Sequence, residues 1–231
     1  MISSGLQPLA RRIFEGLSGS YDRVLAVATL MQDRYWKGWI VRKASLTGGM
    51  GVLDVGCGTG VLEEYLNQRG VSVIGVDLTE EMIRLAQLKR IGCIECLAVG
   101  DGERLPFKDS SFDVVLSCYV VKYCRPEKLV SEFVRVMRPG GRVLLYDFSS
   151  PRGFFAPFHA FYVYGVLRIF GVMLRQVDPG LAFTYQALPS VIRERKWDDH
   201  LGGLMSACGF SEIGERRLSG GVVTVYWGRK A

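Results

Sequence analysis

The stretch Val52-Leu53-Asp54-Val55-Gly56-Cys57-Gly58-Thr59-Gly60 runs an apolar segment straight into three glycines within five residues. Glycine loses more conformational freedom on folding than any other residue, so three in a row of five need a reason. A strand that turns sharply into a helix brings free backbone N–H groups to one point, and glycines let a ligand approach them. That geometry belongs to a parallel α/β sheet, where ligands lie at the carboxyl ends of the strands. The rest of the chain has the matching rhythm. Residues 51–56 read as a strand, 59–69 as a helix ended by Gly70, and 71–77 as a strand. Thr79 is placed to cap a helix opened by Glu80, Glu81 and Met82. Residues 94–101 and 112–120 read as strands, the second apolar enough for burial on both faces. Pro126 opens a helix, Arg138-Pro139-Gly140-Gly141 forms a turn, and 142–149 is the fifth strand.

Repeated strand–helix units predict a doubly wound, mostly parallel sheet. The flanks differ. Residues 1–48 read as a helical cap ending at Gly48-Gly49. An aromatic-rich insertion covers 150–197, and 198–231 read as a helix followed by a hairpin joined at Gly220-Gly221. With 49–149 as the core, all 231 residues form one domain in this reading. The segment 154–174 has about the length of a bilayer span. It carries Pro157, His159 and Arg168, so it reads as an amphipathic surface helix, a packed lid or a dimer contact rather than a span.

The formal net charge of +6 is scattered, with no basic arm, so nucleic acid is not the expected partner. Six cysteines without an apolar leader in the first residues are expected to be reduced thiols of a cytoplasmic protein, with peripheral contact at the inner face of a membrane left open. Cys93 and Cys96 have ligand-like spacing, but no second pair matches it and no metal is expected.

Acidic residues stand around the glycine loop. Asp54 precedes it, a choice that suits a cationic ligand or an amine better than a pyrophosphate. Asp77 ends a strand where a carboxylate can accept from both ribose hydroxyls. Asp101, between Gly100 and Gly102, can accept from an adenine amino group. Taken singly these are turn and cap residues; together they describe a site for a positively charged nucleoside.

VLDVGCGTG, VIGVDLTEEM, GDGERLPFKDSSFDVV and RPGGRVLLYDF, in that order over 51–149, resemble the successive motifs of class I S-adenosylmethionine-dependent methyltransferases. The resemblance implies a seven-stranded sheet with an antiparallel last strand and S-adenosylmethionine as cofactor. It implies Gly56, Gly58, Thr59 and Gly60 along the methionine part, Asp77 at the ribose, and Asp101 and Gly102 at the adenine. Asp54, Cys57, Leu78, Met82, Cys118 and Tyr21 complete the expected cofactor set.

The flanks resemble one branch of that class, the ubiquinone/menaquinone biosynthesis C-methyltransferases. The similarity runs through YDRVLAVATLMQDRYWK (21–37), DFSSPRG (147–153), YQALPSVI (185–192) and CGFSEIGERRLSGGVVTVYWGRK (208–230). It implies methylation of a ring carbon of a polyprenyl quinol, demethylmenaquinol to menaquinol above all. Two departures stand out: the loop has the general class pattern, and Cys118-Tyr119-Val120-Val121-Lys122-Tyr123 replaces the family's Ser-Phe-Gly-x-Arg-Asn. The second keeps open an alternative, a methyltransferase of another lipid or small amine such as a phospholipid N-methyltransferase. A quinol carbon becomes nucleophilic when a neighbouring hydroxyl loses its proton, which requires a base or a stabilising cation. Lys122, His159, Asp147 and Tyr185 are the candidates.

Overall fold

The computed structural model describes residues 6–17, 21–151, 153–176, 179–194 and 197–231. Three helices precede the sheet: α1 (Gln7–Leu17), α2 (Tyr21–Ala28) and α3 (Gln32–Lys43). Strands and helices then alternate as β1 (Gly51–Val55), α4 (Val61–Leu66), β2 (Ser72–Asp77), α5 (Glu80–Leu88), β3 (Ile94–Val99), β4 (Phe112–Cys118), α6 (Pro126–Val136) and β5 (Met137–Phe148). A long helix, α7 (Ala156–Gln176), follows, with a π-helical stretch at Phe161–Val166. After it come α8 (Pro179–Glu194), α9 (Leu201–Ala207), β6 (Phe210–Leu218) and β7 (Val223–Lys230).

The seven strands lie in the order β3-β2-β1-β4-β5-β7-β6. The first five pair in parallel, and β7 runs antiparallel between β5 and β6. The order reverses between β1 and β4, which makes that crevice the natural ligand position. Strand parity sorts the core. Leu53, Val55, Val115 and Leu145 pack with α6 and α9, while Val52, Val114, Leu116 and Tyr146 pack with Trp36 and Ile40 of α3 and Leu62 and Leu66 of α4.

Some boundaries differ from the sequence reading. The helix after the loop is shorter than 59–69, because Gly60, at φ 82°, still belongs to the turn. The turn at 138–141 is absorbed into β5 as an irregularity: Phe112 pairs with Met137, and the regular ladder resumes at Val114 and Arg142. The expected helix around 198–208 is a 3-10 turn, Trp197–Asp199, followed by α9. The helix α7 is long and apolar enough to cross a membrane by length and composition, with 18% of its most apolar window buried.

Candidate active site

The loop after β1 is held in left-handed backbone at Gly56 (φ 80°), Gly58 (φ 55°) and Gly60 (φ 82°). At Gly56 a Cβ would also stand 2.1 Å from Cγ2 of Val120, so glycine is required there twice over. The Gly56 and Cys57 N–H groups donate to the Val76 carbonyl, at 2.7 and 3.1 Å. Gly58 N–H donates to Oδ2 of Asp77 at 3.0 Å, and Thr79 donates to Oδ1 through both its N–H and its hydroxyl, each at 2.9 Å. Thr79 therefore spends its hydroxyl on Asp77 and makes no side-chain cap on α5. Burial raises the Asp77 carboxyl above the ordinary range, and these donors oppose the rise.

A cleft of about 650 Å3, its open mouth included, lies over this loop at the strand ends. Of the residues expected to meet a cofactor, Gly56, Gly58, Asp77, Leu78, Met82, Asp101, Gly102, Cys118 and Tyr21 line it. Gln7, Phe14, Val55, Val76, Gly100, Tyr119, Val120, Tyr123 and Cys124 also line it and were not expected. Gln7 reaches across from α1, its Nε2 donating to Oδ1 of Asp101 at 2.7 Å. No local signal marks Gln7 or Phe14; they meet the strand ends only because α1 packs against α5 and the turn after β4.

Asp54, Cys57, Thr59 and Gly60 do not line the cleft. Asp54 has the parity of Val52, so its side chain enters the face covered by α3 and α4, where it is 1% exposed. Cys57 turns its sulfur down onto Gly75, where an added Cβ would lie 2.9 Å from it. The Thr59 hydroxyl donates to Asp22 of α2 at 2.5 Å. Gly60 ends the turn, and its Cβ position faces Ile91 and Ala86.

Asp54 meets Glu63 of α4, which is wholly buried. Oδ1 of Asp54 and both carboxyl oxygens of Glu63 make no well-formed hydrogen bond among the described residues. Crowding two buried carboxyls together favours the protonated form of the pair. Burial first, and then the charge of Glu63, pushes Asp54 well up, and burial pushes Glu63 up to about 7.

A second chamber, the inner one, of about 530 Å3 with its open side included, shares the side chains of Phe14, Tyr21, Tyr119 and Tyr123 with the cleft. Lys122 and Tyr185 line it. Lys122 Nζ is ion-paired with Asp147, and the two are 1% and 0% exposed. Nζ also donates to the Tyr119 carbonyl at 3.2 Å and stands over the Tyr123 ring, 4.7 Å from its centroid. The Asp147 carboxylate further accepts from Lys122 N–H at 3.2 Å and Phe148 N–H at 2.7 Å. Burial lowers Lys122 and raises Asp147, drawing the pair toward its neutral form, while their mutual charge holds it ionised. Tyr119, at φ 65°, is fixed from behind: its hydroxyl donates to Oδ1 of Asp33 at 2.6 Å, and Asp33 is paired with Lys37 at 2.6 Å. His159 is not in this chamber; it lines a third one, with Trp36 and Phe148.

The sheet with its reversed last strand, and the glycine loop flanked by two strand-end carboxylates, define an S-adenosylmethionine-dependent methyltransferase. The sequence profile of the ubiE/COQ5 methyltransferase family matches residues 5–230, and the chain belongs to that family. A demethylmenaquinone methyltransferase of Tropheryma whipplei (strain Twist) is 32% identical over 220 residues, covering 94% of this chain and 89% of the relative. The ubiquinone/menaquinone biosynthesis C-methyltransferase UbiE of Geobacter sp. (strain M21) is 33% identical over 229 residues, covering 95% of each. Among solved structures, an S-adenosylmethionine-dependent methyltransferase from Aquifex aeolicus shares the fold, with TM-score 0.59 at 18% identity over 84% of this chain and 89% of that one.

Proposed function

We propose that the chain methylates a ring carbon of a polyprenyl quinol, converting demethylmenaquinol to menaquinol. The observation that carries this reading is the buried Lys122–Asp147 pair on the wall of an apolar chamber that shares four aromatic side chains with the cleft. When bound, S-adenosylmethionine supplies a methyl group already activated on a sulfonium. The cleft suits it: Asp77 and Asp101 offer acceptors at neighbouring strand ends, with the apolar side chains of Leu78 and Met82 lining the same wall. Gly56, Gly58, Gly102, Tyr21 and Cys118 complete that wall. Asp54, Cys57, Thr59 and Gly60 act through the shape of the loop in this reading.

The protein's part is to align, to exclude water and to move one proton. Burial lowers the Lys122 ammonium while the charge of Asp147 and its hydrogen bond oppose the shift. A quinol hydroxyl beside Nζ gives its proton to the pair, and the remaining oxyanion is stabilised by the ammonium in a dry setting where the interaction is strong. The carbon next to that oxygen then carries the electron density that a methyl transfer consumes. Tyr185 and Tyr123 bound the ring position. His159, in the next chamber, takes no part in this proton transfer. A peripheral membrane contact fits the same reading, since Phe154, Phe158 and Phe161 are 77%, 63% and 73% exposed; flotation with vesicles of anionic phospholipid tests it.

The test of the reaction is incubation with methyl-labelled S-adenosylmethionine and detergent-dispersed demethylmenaquinol, with the product identified by mass spectrometry. Label on the naphthoquinol ring carbon is expected. Label on a phospholipid amine, or none on any quinol, overturns the reading.

A further inference from the structure

Behind the inner chamber lies another of about 1010 Å3, its open side included. The two share Ala28 and Phe148 as walls. Four separate pieces of chain build the outer one: the α2–α3 corner running on to Trp36 of α3, the end of β5, α7, and the β6–β7 turn. We propose that this outer chamber holds the isoprenoid tail of the substrate, with the ring seated past Ala28 and Phe148 beside Lys122. The inference rests on the quinol reading above and extends it to the tail.

The chemistry of the walls selects the ligand. Four of the polar side chains there, Trp36, Ser219, Tyr162 and Thr29, are bonded within the protein, and Gln32 and His159 are the others on the wall. Trp36 Nε1 donates to Oγ of Ser219 at 2.8 Å, the Tyr162 hydroxyl donates to the Ala28 carbonyl at 3.2 Å, and the Thr29 hydroxyl donates to the Leu25 carbonyl at 2.7 Å. Every buried side-chain N or O atom lacking a partner among the described residues lies elsewhere. A sugar, phosphate or peptide entering this space would lose hydration and meet few partners besides Gln32 and His159, a cost a hydrocarbon does not meet. Burial lowers the pKa of His159, so its ring sits neutral on this wall at pH 7. Val163 and Leu167, 4% and 7% exposed, give α7 an apolar inner edge. The π-helical stretch of α7 lies at this wall and supplies Tyr162 and Val163. Such turns occur often at functional sites. At the mouth, Leu30 and Phe158 are 65% and 63% exposed, so a chain longer than the chamber continues over apolar surface.

The experiment is a homologous series of demethylnaphthoquinols carrying zero, one, two and three isoprene units, at one detergent mole fraction, with wild type and Val163→Trp. In wild type kcat/KM is expected to rise roughly tenfold or more across the series, since even partial burial of one five-carbon unit reaches that factor. Val163→Trp puts a bulky ring into the chamber beside the tail and should bring the ratio of longest to shortest within about threefold. Using the ratio inside each protein cancels a general loss of activity. Ala28→Leu, which narrows the passage, serves as the second variant should the tryptophan prevent folding. A flat series in wild type, or an unchanged ratio in a folded variant, overturns the tail chamber while leaving ring methylation in place. Absence of methylation on every member, tailless included, overturns the quinol reading itself.

Discussion

Replacing Glu63 by Gln should alter how the fold responds to pH. Glu63 is 0% exposed, and its carboxyl is pushed from the ordinary 4.5 to about 7, chiefly by burial. The folded state therefore holds this proton more tightly than the unfolded chain does. The stability it contributes is full below about pH 4.5 and is lost as pH rises to about 7. A difference of that size corresponds to about 3 kcal/mol, order of magnitude only, because Asp54 titrates with it. Glutamine keeps the shape, cannot ionise, and can donate an N–H to Asp54. Urea denaturation at pH 5, 6, 7 and 8 should show wild type losing about 3 kcal/mol that E63Q keeps. E63Q should then be the more stable protein at pH 8. Parallel stability curves, or a wild type that gains on E63Q with rising pH, would refute the protonated-pair account.

Lys122→Met should lower kcat by about 100-fold or more and cost about 3–5 kcal/mol of stability, because Asp147 is left charged and buried; adding Asp147→Leu should recover the stability and not the activity. Asp77→Ala should weaken S-adenosylmethionine binding by roughly 10–100-fold in calorimetry, since it removes a charged acceptor that also braces Gly58. Gly56→Ala should lower the melting temperature by at least about 2–4 °C for the left-handed backbone alone, and Val120→Ala in the same chain should return whatever the overlap with Val120 adds.

The parallel core was legible because its signals are local: strand runs, a glycine loop and a turn every twenty or so residues. The same locality made Asp77 and Asp101 visible, each standing at the end of a strand. Asp54 shows where local reading stops. Its type suggested a ligand, but strand parity turned it toward α4, and only the packing of Glu63 opposite tells what it meets. Lys122 and Asp147 were each visible at a strand end, yet their pairing depends on β4 and β5 being neighbours, which is a property of sheet order. Gln7 stands 94 residues from Asp101 and carried no mark at all. His159 was grouped with Lys122 on chemistry alone; the fold put the inner wall of Ala28 and Phe148 between them.

Among the described residues, the cleft and the outer chamber have no lining residue in common, although the inner chamber touches both. Considered as plumbing, the molecule has two doors. On the reading proposed above, the nucleoside uses the cleft lined by Gln7 and Phe14 of α1, and the quinol's tail uses the chamber beside the α2–α3 corner. With separate doors neither traveller queues behind the other, so the layout imposes no compulsory order of arrival or departure. Each product's escape is then governed by its own door: the Gln7–Asp101 latch on one side and the apolar rim of Leu30 and Phe158 on the other.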